Sequence, residues 1–262
     1  IGSILPPGVI NVVTGYGHSA GGSIVQHPDV PVITFTGSVN TGKIIARVAS
    51  DNLKKVSLEL GGKDPMIICD DADIEVAAKG TAWGGFKNSG QICTSIERVY
   101  VYEKVYDNFL EAIIEEANNI VIGDPLDPST DIGPMASKNQ QKLAIQMVEN
   151  ASKEGARLLT GGKIPKIFKK GYFYQPTIMD KVNSEMSIMK EEAFSPIIPI
   201  QKVNNIKEAI SHSNNSIYGL ACSIYTKDID RALTAADEMQ AGTVCINSPL
   251  MENIAAPFGG MK

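Results

Sequence analysis

Apolar runs rich in β-branched residues alternate along this chain with segments that have helical spacing. Residues 31–36 are predicted to form a strand that ends at Gly37, and the apolar residues between 44 and 49 then recur on one helix face. The same order of strand and helix returns later, with strands predicted at 98–102 and 157–160 and helices at 104–121 and 137–154. Alternating strands and helices are typical of a mostly parallel sheet, so the sequence predicts an α/β fold.

Other segments extend this prediction toward both ends of the chain. Residues 9–14 are β-branched and close at a glycine, which indicates a buried strand, and a helix is expected over about 19–27. Aspartates at 70–73 can cap a helix that runs to about residue 88. Residues 171–180 are also strand-like.

Composition excludes several classes of protein. A chain of 262 residues with 43% hydrophobic and 20% charged residues is typical of a globular protein with a large core. It contains no apolar run of membrane-spanning length, and a net charge of -5 with interspersed signs gives no reason to expect nucleic acid or a membrane as partner.

Cysteine and histidine usage argues against a metal site. The four cysteines show no Cys-x-x-Cys spacing and the three histidines lie far apart, so no zinc ribbon and no other metal site is predicted. Scattered cysteines fit a reduced, cytoplasmic setting. These residues are Cys69, Cys93, Cys222, Cys245, His18, His27 and His212.

The run "TFTGSVNTG" places Gly37 and Gly42 between a predicted strand and a predicted helix. Unpaired N–H groups and the helix dipole at such a junction favour an anion, for example the pyrophosphate of a cofactor. The run is neither the usual dinucleotide G-x-G-x-x-G nor a P-loop. Taken alone, the run more simply indicates a helix-starting turn that needs glycine only for its backbone angles.

The run "LELGGK" places Glu59 between Leu58 and Leu60. A carboxylate among apolar residues is costly unless it is paired or used, which makes Glu59 a candidate general base. Alternatively, a half-exposed strand points every second side chain to water, and Glu59 is then an ordinary surface residue.

Cys93 follows Gly90 in the run "NSGQICTS" and precedes Thr94 and Ser95. Small neighbours allow it to lie at an exposed loop beside a cleft, where a thiolate is a strong nucleophile. A buried, unreactive cysteine is the commoner outcome for this residue type. If Cys93 reacts without a histidine, a carboxylate base such as Glu59 is the sequence candidate.

The run "KEEAFSPIIPI", residues 190–200, combines two acids, an aromatic ring and two prolines. An acid there can bind ribose hydroxyls, and the phenylalanine can pack on a cofactor ring. The alternative is a solvated acidic turn that leads into an edge strand bounded by proline.

Taken together and in order, these motifs resemble the NAD(P)-dependent aldehyde dehydrogenase superfamily over nearly the whole chain. The resemblance rests on "LPPGVINVVTG", "FTGSVNTG", "LELGGKDPMIICDDAD", "NSGQICTS", "GDPLDPSTDIGPM", "KGYFYQPTI", "EEAFSPIIPI", "NNSIYGLACSIYTKD" and "APFGG". It implies an α/β fold with a parallel-sheet catalytic domain at 58–262 and part of a Rossmann-like cofactor domain at 1–57.

The resemblance also implies residue roles. Cys93 matches the family nucleophile and Glu59 the base that activates water for deacylation. The implied cofactor residues are Gly37, Ser38 and Gly42 on the phosphate side, Leu60 and Gly61 beside the nicotinamide, Glu192 on its ribose and Phe194 against its ring. The implied substrate-pocket residues are Ile92, Thr94 and Phe258.

The activity implied is oxidation of an aldehyde to a carboxylic acid through a cysteine thiohemiacetal and thioester, with NAD or NADP as cofactor. We expect a small neutral or hydroxylated aldehyde, because no arginine adjoins Cys93. We also expect a homo-oligomeric, cytoplasmic full-length protein of which this chain is a part, lacking N-terminal and C-terminal segments. On its own it is expected to turn over weakly or not at all, because a side-chain amide of the oxyanion hole precedes residue 1 in the family.

Two alternatives stay open. One is a truncated, inactive catalytic-domain fragment. The other is a cysteine-dependent acyl transferase or esterase, since thioester chemistry requires only Cys93 and a base.

Overall fold

The computed structural model describes residues 4–249 and 254–262, and the chain divides into two compact units, Ile1–Leu60 and Gly61–Lys262. The first unit contains a π-helical turn (Gly17–Gly21), helices α1 (Gly22–Gln26) and α2 (Val39–Asp51) and strands β1 (Val32–Thr36) and β2 (Lys55–Glu59). The strands of the second unit are β3 (Asp64–Ile68), β4 (Ile96–Tyr102), β5 (Arg157–Thr160), β6 (Thr177–Asp180), β7 (Ile197–Val203), β8 (Ala221–Tyr225) and β9 (Thr243–Ile246). Its helices are α3 (Ile74–Phe86), α4 (Tyr106–Asn119), α5 (Lys138–Lys153), α6 (Ser187–Lys190), α7 (Ile206–Asn214) and α8 (Ile229–Glu238), with short helical turns at Lys87–Gly90 and Glu103–Val105.

The first unit is built on one strand–helix–strand crossover. β1 and β2 pair in parallel, with Val32 opposite Lys55 and Thr36 opposite Glu59. α2 connects them and buries Ile45 against the small core, whereas its neighbour Ile44 stays exposed. The crossover confirms the strand predicted at 31–36 and the helix that follows it.

The second unit contains a seven-stranded sheet in the order β5-β6-β7-β4-β3-β8-β9. Every neighbouring pair is parallel except β5 and β6, which are antiparallel. The mostly parallel α/β architecture predicted from the alternation of strands and helices is therefore confirmed.

Alternation along the central strands divides the core between the two faces of this sheet. Met66 and Ile68 of β3 pack in the cluster that contains α3 and α4 residues, whereas Ile67 packs in the cluster that contains α5, α7 and α8 residues. Successive strand residues point to opposite faces, and helices cover both faces. The central strands are consequently buried along their whole length.

Short polar side chains start five of the longer helices, whereas α4 has no side-chain cap. Ser38, Asp73, Ser137, Asn205 and Asp228 each accept a backbone N–H of the first turn of α2, α3, α5, α7 and α8, respectively. Such caps satisfy N–H groups that have no partner within the helix. The aspartate cap predicted before α3 is among them.

Two local predictions were wrong, and one of the alternatives is contradicted. Residues 9–14 form no strand, because their side chains are exposed and gain no burial in a sheet. The strand expected over 171–180 is limited to β6. The strand expected at an edge after the acidic run is β7, which pairs with both β4 and β6 in the sheet interior. Among the described residues, no helix has the length and apolar character needed to cross a membrane.

Candidate active site

The loop that carries Cys93 begins with a left-handed turn. α3 ends at Phe86, and Asn88, Ser89 and Gly90 follow with φ angles of 52°, 56° and 69°. Two of these three residues are not glycine, so the turn stores backbone strain that surrounding contacts must offset.

Side-chain hydrogen bonds hold this turn in place. The Ser89 hydroxyl donates to the Gly133 carbonyl at 2.7 Å, and the Asn88 and Gln91 side chains each donate to the other residue's carbonyl at 3.0 Å. The Gln91 side-chain oxygen also accepts the Ala136 N–H at 2.8 Å. The loop is thereby tied to the segment that precedes α5.

Gly90 has both a positive φ and no room for a side chain. A Cβ atom at this position would lie 2.2 Å from the Ser195 carbonyl oxygen. A β-carbon is therefore excluded by a backbone atom as well as disfavoured by the left-handed conformation.

Cys93 differs from the other three cysteines in its exposure. It is half-buried, whereas Cys69, Cys222 and Cys245 are buried. Burial raises the pKa of the Cys69 thiol to about 11, so that thiol stays protonated near neutral pH. Cys93 is therefore not the fully buried cysteine of the second alternative.

A pair of glycines brings the Cys93 loop and Glu192 together. The Gly62 N–H donates to Glu192 Oε1 at 3.0 Å, and a Cβ on Gly61 would lie 2.4 Å from Glu192 Oε2. A Cβ on Gly62 would lie 2.1 Å from the Cys93 carbonyl oxygen. Three of the predicted site residues, Cys93, Gly61 and Glu192, thus converge around one stretch of close-packed backbone.

The turn that carries Glu192 and Phe194 is held by two side chains that sequence reasoning missed. Glu97, in β4, accepts the N–H groups of Ala193 and Phe194 at 2.7 and 2.8 Å. The Gln140 side-chain amide donates to the carbonyls of the same two residues at 2.9 and 3.0 Å. Phe194 has a φ of 44°, so this second turn is also left-handed. One clue to Glu97 was available, since a charged residue inside a run as apolar as "IERVYVY" needs a buried partner.

That partner is Lys63, directly after the glycine pair. Lys63 Nζ donates to Glu97 Oε2 at 2.8 Å, and the two side chains are 0% and 2% exposed. Arg98 lies beside them, and its Nε donates to the Lys63 carbonyl at 2.8 Å. Removing one partner of such a buried pair typically costs about 3–5 kcal/mol, because the other charge is left uncompensated.

Burial also sets the protonation of the other acids in this region. It raises the pKa of the Glu192 carboxyl, although the Gly62 N–H partly opposes the shift. Burial raises the pKa of Asp64 well above its usual range, and its Oδ2 has no hydrogen-bond partner among the described residues. Lys63 shows the opposite sign, since burial lowers its pKa while Glu97 counteracts the shift.

The remaining predicted cofactor residues and Glu59 lie in the first unit. Glu59 ends β2 half-buried, and its carbonyl oxygen accepts the Gly37 N–H at 3.0 Å. Ser38 begins α2 and its hydroxyl accepts the Thr41 N–H at 3.3 Å. A Cβ on Gly42 would lie 2.5 Å from Leu60 Cδ2, so the Leu60 side chain packs on α2. The structure therefore places Gly37, Ser38, Gly42, Glu59 and Leu60 around one strand–helix junction.

The three predicted substrate-pocket residues have different surroundings. Ile92 is half-buried and accepts the Ser95 N–H through its carbonyl, and Thr94 is buried with its hydroxyl unpartnered among the described residues. Phe258 is 47% exposed. The described hydrogen bonds of the segment after Phe258 go to Gly219, Asn214 and Ser216 rather than to the Cys93 loop. The pocket role of these residues stays a prediction.

A sequence model of the aldehyde dehydrogenase family matches residues 3–262. The chain belongs to the aldehyde dehydrogenase family. It is 45% identical to aldehyde dehydrogenase, cytosolic 1, of Rattus norvegicus over 258 residues. This match covers 98% of the present chain and 51% of the relative. The chain thus spans about half the length of the curated relatives it matches.

Solved structures agree with this assignment. The structure of an NAD+ complex of aldehyde dehydrogenase from Bacillus cereus is 42% identical, with a TM-score of 0.91 over 94% of this chain and 50% of that one. An NADP-dependent enzyme of E. coli is 36% identical, with a TM-score of 0.96 over 99% of this chain and 54% of that one. The predicted family and aldehyde dehydrogenase-like fold are therefore confirmed.

Proposed function

We propose that the full-length protein oxidises an aldehyde to a carboxylic acid with NAD+ or NADP+. The observation that carries the proposal is the convergence of the half-buried Cys93, the Gly61–Gly62 backbone and the Glu192 carboxylate. Membership of the aldehyde dehydrogenase family supports it further.

Each unit contains residues that suit one part of a nicotinamide dinucleotide. Ser38 caps only the third N–H of α2, which leaves the Val39 and Asn40 N–H groups for a ligand or solvent. An anionic diphosphate suits the positive end of this helix. Glu192 is half-buried and has one oxygen fixed by Gly62, so it can accept from the hydroxyls of a ribose. When bound, the cofactor supplies a hydride acceptor at its nicotinamide ring.

Cys93 acts as the nucleophile in this proposal. Its thiolate sulfur forms a bond to the aldehyde carbon, and the carbonyl electron pair moves onto oxygen to give a thiohemiacetal. The Cys93 backbone N–H is suited to donate to that oxyanion. Loss of hydride from the same carbon leaves a thioester on Cys93.

Glu59 acts as the general base for the second half of the reaction. It accepts a proton from water, and the hydroxide adds to the thioester carbon. Collapse of this adduct breaks the carbon–sulfur bond, releases the carboxylic acid and returns Cys93 as a thiolate.

Several finer assignments are also proposals. Ile92, Thr94 and Phe258 line the substrate pocket, Phe194 packs against the nicotinamide, and the substrate is a small neutral or hydroxylated aldehyde. Residues 1–57 belong to a cofactor domain and 58–262 to a catalytic domain. The full-length protein is a homo-oligomer and is cytoplasmic. The cytoplasmic localisation is supported by the rat relative, which is named as cytosolic.

The test is NAD(P)H formation by the full-length protein with a panel of neutral, hydroxylated and phosphorylated aldehydes. We expect turnover with at least one neutral or hydroxylated aldehyde and its loss in Cys93→Ser, whereas the matched control Cys245→Ser, at a buried thiol, keeps it. Ester hydrolysis without any NAD(P)H formation would instead support a cysteine-dependent esterase. Equal rates with phosphorylated aldehydes would contradict the substrate assignment.

A further inference from the structure

Glu97 is bound by three donors from two separate segments. Its Oε2 accepts Lys63 Nζ at 2.8 Å and the Ala193 N–H at 2.7 Å, and its Oε1 accepts the Phe194 N–H at 2.8 Å. Both N–H groups belong to the residues that directly follow Glu192. The Glu97 carboxylate therefore fixes the backbone from which the Glu192 side chain extends.

Lys63 connects the same carboxylate to the other support of Glu192. It follows Gly62, whose N–H donates to Glu192 Oε1 at 3.0 Å. Glu192 is thus fixed at its backbone by Glu97 and at its carboxylate by Gly62. The buried Lys63–Glu97 ion pair joins these two supports.

The turn needs this support because its conformation is strained. Phe194 has a φ of 44°, a left-handed conformation that is unfavourable for a residue with a side chain. Gln140 holds the carbonyls of Ala193 and Phe194, while Glu97 holds their N–H groups. Loss of the Glu97 acceptors would allow the turn to relax and Glu192 to move.

We propose that Glu97, paired with Lys63, is a positioning residue that presents the Glu192 carboxylate to the nicotinamide ribose. This inference rests on the proposed function, since it deepens the role of the ribose-binding acid. Glu97 itself touches neither cofactor nor substrate in this proposal, and its effect is on cofactor affinity.

The direct test is the cofactor dissociation constant of Glu97→Gln in the full-length protein, measured by calorimetry with NAD+ and with NADP+. Glutamine keeps the shape but can accept only one of the two N–H groups through its single oxygen. We expect the dissociation constant and the cofactor KM to rise about tenfold or more, the size expected when charged hydrogen bonds are lost. The alkylation rate of Cys93 by iodoacetamide without cofactor should stay within about twofold of the parent's, the size of effect expected when the Cys93 loop is left in place.

Asp180→Asn is the matched control. Asp180 is also a buried carboxylate, 1% exposed, and it accepts from Arg157 Nε at 2.8 Å where β5 pairs with β6. We expect this variant to lower the melting temperature without changing the cofactor dissociation constant.

A second variant keeps the test decisive if Glu97→Gln folds poorly. Lys63→Met combined with Glu97→Gln removes the unpaired buried charge but still lacks the second N–H acceptor. We expect it to regain melting temperature while the dissociation constant stays raised. A double variant that also fails to fold would overturn the positioning role in favour of a structural one.

The remaining outcomes separate this inference from the proposed function. Turnover by the unmodified protein with an unchanged dissociation constant in Glu97→Gln overturns the inference alone. The inference is also overturned if Asp180→Asn raises the cofactor dissociation constant as much as Glu97→Gln does. It is overturned as well if Glu97→Gln slows the alkylation of Cys93 by the same factor by which it weakens cofactor binding. If the unmodified protein neither forms NAD(P)H nor binds either cofactor, both the proposed function and this inference are overturned.

Discussion

Glu59 stands at the end of β2, opposite Thr36 at the end of β1. Parallel strands bring their carboxyl ends to one edge of a sheet, where loops and helix N-termini provide binding groups. Glu59 is half-buried, as are its neighbours Leu58 and Leu60, so the simple inside–outside alternation considered for this run is absent. Its position suits a base that must meet water and still be oriented by the fold.

We predict that Glu59→Gln in the full-length protein stops turnover after the first cycle. Glutamine cannot accept the proton of the attacking water, so the thioester on Cys93 accumulates. Steady-state turnover should fall by about 10²–10⁴, the usual contribution of general base catalysis, while one equivalent of NAD(P)H still forms in the first cycle. Stopped-flow absorbance measures both, and loss of the first-cycle burst would contradict the assigned role.

Asp64 is a buried acid with an unusual protonation. Desolvation raises its pKa well above the usual range, and nearby Glu97 acts in the same direction while Arg98 opposes it. The folded state therefore holds this proton to a higher pH than the unfolded chain does. Between the two pKa values the folded state binds more protons, so the contribution of Asp64 to stability falls as pH rises.

We predict that Asp64→Asn becomes stabilising as pH increases. Asparagine has nearly the same shape as the protonated acid and does not ionise, so both proteins should melt alike near pH 4, about the unfolded aspartate pKa. Above that pH the variant should melt progressively higher than the parent, until the folded carboxyl has fully ionised. Melting temperatures across pH measure this, and a difference that is constant with pH would refute it.

At the scale of elements, the site is formed by turns between regular structure. The left-handed turns at 88–90 and 194 lie after α3 and before β7, and a Cβ on Gly90 would run into Ser195. The first turn is tied to Ala136 through Gln91 of its own loop, and the second is held by Gln140 of α5. The strain that places Cys93 is therefore offset by the sheet and helices around it.

We predict that Gly90→Ala both destabilises the protein and changes the reactivity of Cys93. Strain at a positive φ costs about 1 kcal/mol or more for alanine, and the 2.2 Å approach to the Ser195 carbonyl forces backbone movement in addition. Gly155→Ala is the control, because Gly155 also has a positive φ of 108° but its Cβ would meet only Met186 Cε at 4.0 Å. Iodoacetamide labelling of Cys93 should change in Gly90→Ala and stay unchanged in Gly155→Ala, whereas equal effects would contradict the steric argument.

At the scale of the whole molecule, the second unit gains its stability from a sheet covered on both faces. Ile67 lies in β3, between β4 and β8, and is 0% exposed. Parallel strands buried in this way carry nearly continuous apolar sequence, as "PMIIC" does. The strand after Cys93, β4, and the strand after Glu192, β7, are neighbours in this central group.

We predict that Ile67→Ala lowers the free energy of unfolding by about 2–5 kcal/mol, through lost burial and the cavity left behind. Ile217→Ala, at a position that is 73% exposed, should change it by no more than about 0.5 kcal/mol. Denaturant melts of the full-length variants measure the difference. Equal effects of the two substitutions would contradict the placement of Ile67 in the core.

Local sequence patterns were sufficient to predict most helices and strands. They were insufficient where the formation of a strand depends on burial by distant segments. The helices α2, α3 and α5 follow from apolar spacing and capping residues close in sequence, and α4 follows from apolar spacing alone. Residues 9–14 have the same β-branched composition as β1, yet they form no strand, because a strand also requires a partner and a covered face. The acidic run before β7 was compatible with an edge strand, because local sequence does not show which distant strands pair with β7.

The sequence by itself determined the α/β alternation, the family and the motif residues, because these depend on residue type and short spacing. Only the tertiary structure decided that Cys93 is more exposed than the other cysteines and that Gly61 and Glu192 meet beside it. It alone also revealed the Lys63–Glu97 pair that holds the Glu192 turn. Burial and the partner of a charge are set by chain segments far apart in sequence, and the energetic cost of an unpaired buried charge applies only once the fold has brought those segments together.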